Sequence, residues 1–344
     1  MQIVAQVLVR AHAQQEGSQL VPEISQVAMD GKAMRGTWSQ VQKEREQQHV
    51  EAQKQEKQEP AEKPQPTRQK KGERPAEAPP SPMPQAEEEE TRGHPRVHLL
   101  SLSECHSGIV LAQRSVGRKT TEISAAAALM HPALVKDRLI SADALHTQTN
   151  WCAAVTAFGG DDLLFAKGNQ PTRFQELHDF FADPEPERDE WRHARQVSKG
   201  HGRLEIRQIW TSTQMNDWFE PQWAGIQQVF CVQRQVSSQG KTREETVDGF
   251  TSLSRQRANA ARLLAPIQAH WKVENRLHWR RDVSPGEDAC QVRSAGAPQT
   301  LAALNGALLG LMGSLGVRNV PKQMRYFDAH PSAMISWLCH RLSP

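Results

Sequence analysis

Leu139-Ile-Ser-Ala-Asp143 is a short apolar run that stops on an acid, and its reading decides the fold. Four apolar or small residues bounded by polar sequence suit a strand buried on both faces. A second stretch of the same kind, Ser25-Gln-Val-Ala-Met-Asp30, also reads as a strand ending on an acid, with Gly31 expected to turn the chain. Between them, His98–Leu102 and Gly108–Val116 alternate as two strands of a hairpin with Ser107-Gly108 near its tip. Glu122–Val135 is Ala-rich and predicts a helix that leads into the strand ending on Asp143. Strands alternating with helices, with acids at strand ends, describe an α/β chain of the open-sheet kind. Such sheets gather their sites at strand termini.

Downstream, His146–Phe158 predicts a helix closed by Gly159-Gly160, Leu163–Ala166 a strand, Lys167–Pro171 a loop and Thr172–Ala182 an amphipathic helix. Residues 183–200 are charged and read as loop, whereas Arg203–Ser212 and Ile226–Val236 alternate as strands. The final third is helical. Ala258–Arg280 carries one long helical pattern interrupted at Pro266, and Gln299–Leu315 is apolar enough to be expected as the most buried helix. Near the start, Ile3–His12 predicts a short helix.

Composition varies sharply along the chain. Of 344 residues 38% are hydrophobic, but Ser39–Arg96 has almost none, so the remainder is rich enough to bury a core. That segment passes from Gln-rich charged sequence into repeats such as Glu59-Pro-Ala-Glu-Lys-Pro64 and ends near the acidic run Glu87–Glu90. It is expected to be a disordered, solvated linker, because too little apolar surface is available to offset chain entropy. The expected division is 1–38, the linker at 39–96, a core at 97–184, a β-rich insertion at 185–255 and C-terminal helices at 256–344. A net charge of +3 does not by itself mark a nucleic-acid binder. Five scattered cysteines without a Cys-x-x-Cys pair argue against a zinc ribbon or a disulfide scaffold and suit a reducing, cytoplasmic setting. No signal peptide and no apolar run of membrane-spanning length is expected.

Three acids carry the candidate chemistry: Asp30 and Asp143 at strand ends, and Glu274 on a helical segment. Carboxylates that cluster repel one another unless cations sit among them. Hard oxygen ligands select Mg²⁺ or Mn²⁺. Two such ions about 3.5–4 Å apart can act on both the attacking and the leaving oxygen of a phosphodiester. Each acid also has an ordinary structural reading: Asp30 as a turn residue, Asp143 as a helix N-cap, Glu274 as a solvated position. His270, Glu274 and His278 share one helical stripe that could hold zinc, without the tighter His-Glu-x-x-His spacing. Trp271, Leu277 and Trp279 read as core. Lys167, Asn169 and Gln170 offer a cation and two amides suited to DNA phosphates and sugar edges, and Arg203 and Arg207 could track a DNA backbone.

Five ordered blocks form a set: Met29-Asp-Gly-Lys-Ala-Met-Arg-Gly36, Ser141-Ala-Asp-Ala-Leu-His-Thr-Gln148, Phe165-Ala-Lys-Gly-Asn-Gln-Pro171, His201-Gly-Arg-Leu-Glu-Ile-Arg207 and His270-Trp-Lys-Val-Glu-Asn-Arg-Leu-His-Trp279. Asp282-Val and Glu287-Asp288 continue the pattern. Together they resemble bacterial insertion-sequence transposases with an Asp-Asp-Glu core, in the H-repeat-associated branch. The resemblance covers about residues 26–38 and 97–340. It implies a ribonuclease-H-like α/β core, a mixed sheet flanked by helices, with a β-rich insertion. It implies Asp30, Asp143 and Glu274 as catalytic metal ligands for two Mg²⁺ or Mn²⁺ ions. Lys32, Lys167, Asn169, Gln170, Arg203, Arg207, His270, Asn275 and His278 are the expected DNA-facing residues. The implied activity is hydrolysis at transposon ends followed by strand transfer into target DNA, with DNA as partner and a homodimer as the synaptic assembly. A transposase-derived protein that binds DNA without turnover is the alternative, and a nuclease without a joining step is a third reading.

Overall fold

The computed structural model describes residues 24–34, 97–116, 122–182, 190–200, 202–219, 222–273, 278–292, 296–314, 316–317 and 319–342. The helix expected at Ile3–His12, the linker at 39–96, Glu274 and Asn275 lie outside the described residues.

Nine strands form one mixed sheet: β1 (Gln26–Ala33), β2 (His98–Glu104), β3 (Val110–Val116), β4 (Leu139–Ala142), β5 (Asp161–Ala166), β6 (Arg192–Gly200), β7 (Arg203–Ser212), β8 (Gln228–Ser238) and β9 (Lys241–Thr251). Their order is β3-β2-β1-β4-β5-β9-β8-β7-β6. β1, β4 and β5 are mutually parallel, and every other pairing is antiparallel. Helices α1 (Glu122–Leu129), α2 (Pro132–Val135), α3 (Thr149–Ala157) and α4 (Pro171–Phe181) come first. Then come α5 (Asn216–Phe219), α6 (Ala260–Trp271), α7 (Trp279–Val283), α8 (Ala297–Ser314), α9 (Val320–Ala329) and α10 (Pro331–Leu342). The mixed sheet flanked by helices that the resemblance implies is therefore present.

The period-2 alternation of strands sorts side chains to two cores. Val27, Met29, Ile140, Ala142, Leu164 and Ala166 meet α1–α4 through residues such as Leu129, Val135, Trp151 and Leu177. Leu139, Leu163, Phe165 and Phe230 meet Leu263, Leu264 and Ile267 of α6 on the opposite face. β4 and β5 are buried along their whole length, as parallel strands covered on both faces should be.

Several local expectations change in the tertiary setting. Gly31 does not turn the chain: β1 runs on to Ala33 because β2 pairs with it beyond Asp30, with Gly31 opposite Leu100 and Ala33 opposite His98. The helix expected over Glu122–Val135 is two, broken before Pro132, where the His131 side chain caps Ala133 N. His146 ends a 3₁₀ turn, Ala144–His146, and helix α3 begins only at Thr149. Residues 183–200 were expected as loop, yet β6 forms there, paired along its full length with β7. β9 had no counterpart in the sequence reading; its charged first half pairs with β8. Pro266 sits inside α6 without ending it, and α6 and α7 are separate helices rather than one. α8 is not the most buried helix, since Leu304 is 59% exposed. Its small face, Gly306 and Gly310, lies against Val110 and Ile109 of the hairpin, which leaves larger apolar residues outward.

Candidate active site

The parallel ladder between β1 and β4 ends at the pair Met29–Ala142. The next residue on each strand is an acid, Asp30 on one and Asp143 on the other. Hydrogen-bonded strands lie about 4.8 Å apart, so the two carboxylates start from neighbouring positions on adjacent central strands of the sheet. Asp30 remains in β1, opposite Ser101 of β2. Its Oδ1 accepts from Gly31 N at 2.8 Å and its Oδ2 lies 3.6 Å from His278 Nε2, with 24% of the side chain exposed. Asp143 turns out of β4 and its Oδ1 accepts from Leu145 N at 3.1 Å. The N-cap reading of Asp143 is thus realised, and it engages one carboxylate oxygen.

The surrounding histidines are held neutral. Burial, with Lys32 and Arg281 nearby, pushes His278 down to about 3. Burial, with Lys167 and His146 nearby, pushes His270 down to about 4. His270 Nδ1 is 3.1 Å from Ser141 Oγ and its ring lies 5.0 Å from Phe165. That imidazole is core, not a DNA contact as expected. Lys32 is corrected in the same way: it is 6% exposed and ion-pairs with Asp282 and, at 3.3 Å, with Asp288. Its charge is neutralised within the protein and is out of reach of a phosphate.

Asn169 Nδ2 donates to Ala144 O, and Gln170 Nε2 donates to Thr147 O at 2.9 Å, so both amides bind the turn that carries Asp143. Lys167 is exposed at the end of β5. Arg203 is 54% exposed and Arg207 largely buried; both face Glu205, at 3.7 and 2.6 Å, with Arg234 as a third cation. Trp271 stacks on Phe165 with centroids 6.1 Å apart, as core packing predicts. Trp279, expected in the core, is 58% exposed at the start of the short helix α7. Leu277 lies outside the described residues.

Sequence reasoning missed a buried tier under the acids. Glu122, at the start of α1, contacts His98 Nε2, and its other oxygen is 3.9 Å from His146 Nε2. A Cβ on Gly31 would meet Glu122 Oε1 at 2.7 Å and His98 Nε2 at 2.9 Å, so any larger residue after Asp30 would have to shift this pair. His146 is pushed down by burial, with Asp143 and Glu122 pulling the other way. On the opposite side Arg281 Nε donates to Glu287 at 2.8 Å, and Asn305 donates to the same carboxylate at 3.1 Å. Glu122 carried no signal beyond an acid before an Ala-rich helix; Glu287 lay in a quoted block without a role.

Two carboxylates that follow neighbouring positions on β1 and β4, beside neutral imidazoles, are oxygen donors of the kind a hard divalent cation takes. Among the described residues no three His, Cys, Asp or Glu side chains form a metal-binding group, and the third expected ligand, Glu274, lies outside them. The zinc stripe His270–Glu274–His278 is not supported, since His270 turns to Ser141 and His278 to Asp30.

The sequence pattern of the Transposase DDE domain matches residues 23–304. This chain belongs to the DDE transposase family. Among curated relatives, the protein YbfL of Escherichia coli K12 is 28% identical over 233 residues, covering 65% of this chain and 60% of that protein. The H repeat-associated putative transposase YhhI of the same strain is 27% identical over 233 residues, with the same coverage. The chain thus aligns with about three-fifths of the length of these relatives. The piggyBac transposase in its synaptic complex with hairpin DNA overlaps 94% of this chain and 55% of its own at 9% identity, with a TM-score of 0.43. No helix among the described residues is long and apolar enough to cross a membrane.

Proposed function

We propose that this DDE transposase homologue cuts and joins DNA, hydrolysing a phosphodiester at a transposon end and transferring the freed 3′-hydroxyl into target DNA. The observation that carries the reading is the consecutive placement of Asp30 and Asp143 just past the last parallel pair of β1 and β4. Asp30, Asp143 and Glu274 would hold two Mg²⁺ or Mn²⁺ ions, which supply Lewis-acid stabilisation of the attacking and leaving oxygens. In the first step water attacks phosphorus, the bond to the 3′ oxygen breaks, and a 3′-hydroxyl and a 5′-phosphate remain. In the second that hydroxyl attacks a target phosphodiester and one bond replaces another, so no external energy source is needed. The chain's own part is to orient the two aspartates: Gly31 N on Asp30 and Leu145 N on Asp143 each fix one carboxylate oxygen. Neutral His278 leaves the negative charge beside Asp30 uncancelled. Lys167 and Arg203, exposed at the end of β5 and at the start of β7, are the cations suited to DNA phosphates. DNA is the partner, with a homodimer as the synaptic assembly.

The test is cleavage and joining of a labelled transposon-end duplex by purified protein with Mg²⁺, Mn²⁺ or EDTA. Activity is expected only with metal, and Asp143→Asn, which keeps shape and removes charge, should lower it at least 10³-fold, as loss of a main electrostatic stabiliser does. Metal-independent cutting, or full activity in that variant, refutes the reading. DNA binding without turnover in the unaltered chain would favour the non-catalytic alternative.

A further inference from the structure

We propose that Asn169 and Gln170 are positioning residues for the Asp143 carboxylate, acting on metal binding rather than on DNA; this rests on the functional reading above. Asp143 is the first residue after β4, and its direction is set by the Ala144–His146 turn that it caps. A single 3₁₀ turn has little stability of its own. Here it is gripped at both ends by side-chain amides from the loop after β5. Asn169 Nδ2 donates to Ala144 O, one residue after Asp143, and Gln170 Nε2 donates to Thr147 O at 2.9 Å, just past the turn. Thr147 Oγ1 completes the attachment by donating to Phe165 O of β5 at 2.7 Å. The gripping loop is itself closed, since Gln170 N donates to Lys167 O at 2.9 Å and Pro171 opens α4. From the other side, the His146 ring is buried against Trp151 at 5.3 Å and lies 3.9 Å from Glu122.

Both amides donate to backbone carbonyls of the turn, so their donors are engaged within the protein. Their geometry ties the end of β5 to the end of β4, so a shift of the loop moves Asp143. Mg²⁺ demands near-ideal oxygen geometry at about 2.0–2.1 Å, and displacements near 1 Å are costly at reacting centres. Freeing the turn should therefore weaken metal binding before it weakens anything else.

Gln170→Glu keeps the shape but loses the donor, and Asn169→Ala removes the other grip. Three readouts are taken on the full chain: Mn²⁺ affinity by electron paramagnetic resonance, end-duplex affinity by anisotropy in EDTA, and hydrogen exchange of the 145–147 amides without metal. Expected are a Mn²⁺ dissociation constant raised at least tenfold, DNA affinity within twofold of the parent, and exchange at 145–147 accelerated at least tenfold in Gln170→Glu. DNA affinity lowered tenfold with Mn²⁺ binding intact would assign the amides to DNA and overturn the proposal. Unchanged exchange at 145–147 overturns it as well, whether or not metal binds. If Mn²⁺ binding by the parent chain survives Asp143→Asn, it is the functional reading that fails. The exchange readout then still decides whether the two amides hold the turn. Should Asn169→Ala fail to fold, Gln170→Glu alone decides.

Discussion

Asp162→Asn should make this protein more stable at neutral pH, and the gain should vanish in acid. Asp162 is the second residue of β5, fully buried and opposite Ile140 of β4. Burial pushes its carboxyl up to about 6 from the ordinary 3.8, although hydrogen bonds from Cys152 and Ser252 oppose the rise and Asp161 adds to it. The folded state therefore keeps this proton to a higher pH than the unfolded chain does. Below about pH 3.8 both states are protonated and the side chain brings no penalty. As pH climbs to about 6 the unfolded chain ionises first, and stability falls through that window. The interval from 3.8 to about 6, at 1.36 kcal/mol per pH unit, corresponds to about 3 kcal/mol. Asparagine stays neutral and keeps an oxygen to accept from Ser252 N, which lies 3.1 Å from Asp162 Oδ1. Urea unfolding of both proteins at pH 4, 5, 6 and 7 reads the difference, in which every other titrating group cancels to first order. Of that total the variant should gain about 2.4 kcal/mol relative to its parent between pH 4 and 7, because the unfolded carboxyl is already partly ionised at pH 4. A difference that stays flat to within about 0.5 kcal/mol across that range, or one that favours the parent more at pH 7, would refute the reasoning.

Two further variants probe the sheet. Glu205 is buried among Arg234, Arg207 and Arg203; burial pulls its carboxyl up, but the three guanidiniums outweigh it and hold it below the usual range. Glu205→Gln should cost about 2 kcal/mol, more at low salt because the three cations then face one another, as urea unfolding at two ionic strengths would show. The lowered pKa also makes this contribution present above the ordinary Glu value of 4.5 and lost as pH falls below it. Gly31→Ala should displace the Glu122–His98 pair and with it Asp30, abolishing end cleavage while end-duplex binding in EDTA stays within about threefold; loss of both together would place the damage elsewhere.

The strands that build the site were legible because they are short, apolar and bounded by polar residues. Gln26–Asp30, Leu139–Ala142 and Leu163–Ala166 are strands as expected, and so is the hairpin around Gly108. β6 and β9 were not legible. Arg192–Gly200 and the first half of Lys241–Thr251 are exposed, so no core face imposes an alternation, and only pairing with neighbours makes them strands. Gly31 was misread for a related reason: the ladder to β2 that keeps β1 extended comes from residues almost seventy positions away.

At the site, residue type was informative and residue environment was not. Two aspartates at the ends of apolar strands could be singled out from their positions alone. Whether a lysine, a histidine or an amide looks outward depends on what stands opposite. Lys32 meets Asp282 and Asp288, some 250 positions later, and His270 meets Ser141, 129 positions earlier. Trp279 errs in the other direction: its apolar ring is 58% exposed on a short helix.

What belongs to the sequence by itself is the family, the α/β class and the choice of candidate acids, because ordered motifs and apolar runs are local properties of the chain. What belongs to the tertiary structure is which strands neighbour one another, that Asp30 and Asp143 follow a shared parallel pair, that Lys32 and His270 are buried, and that Asn169 and Gln170 bond the turn after Asp143. Burial and hydrogen-bond partnership are relations between distant segments, and no stretch of chain carries them alone.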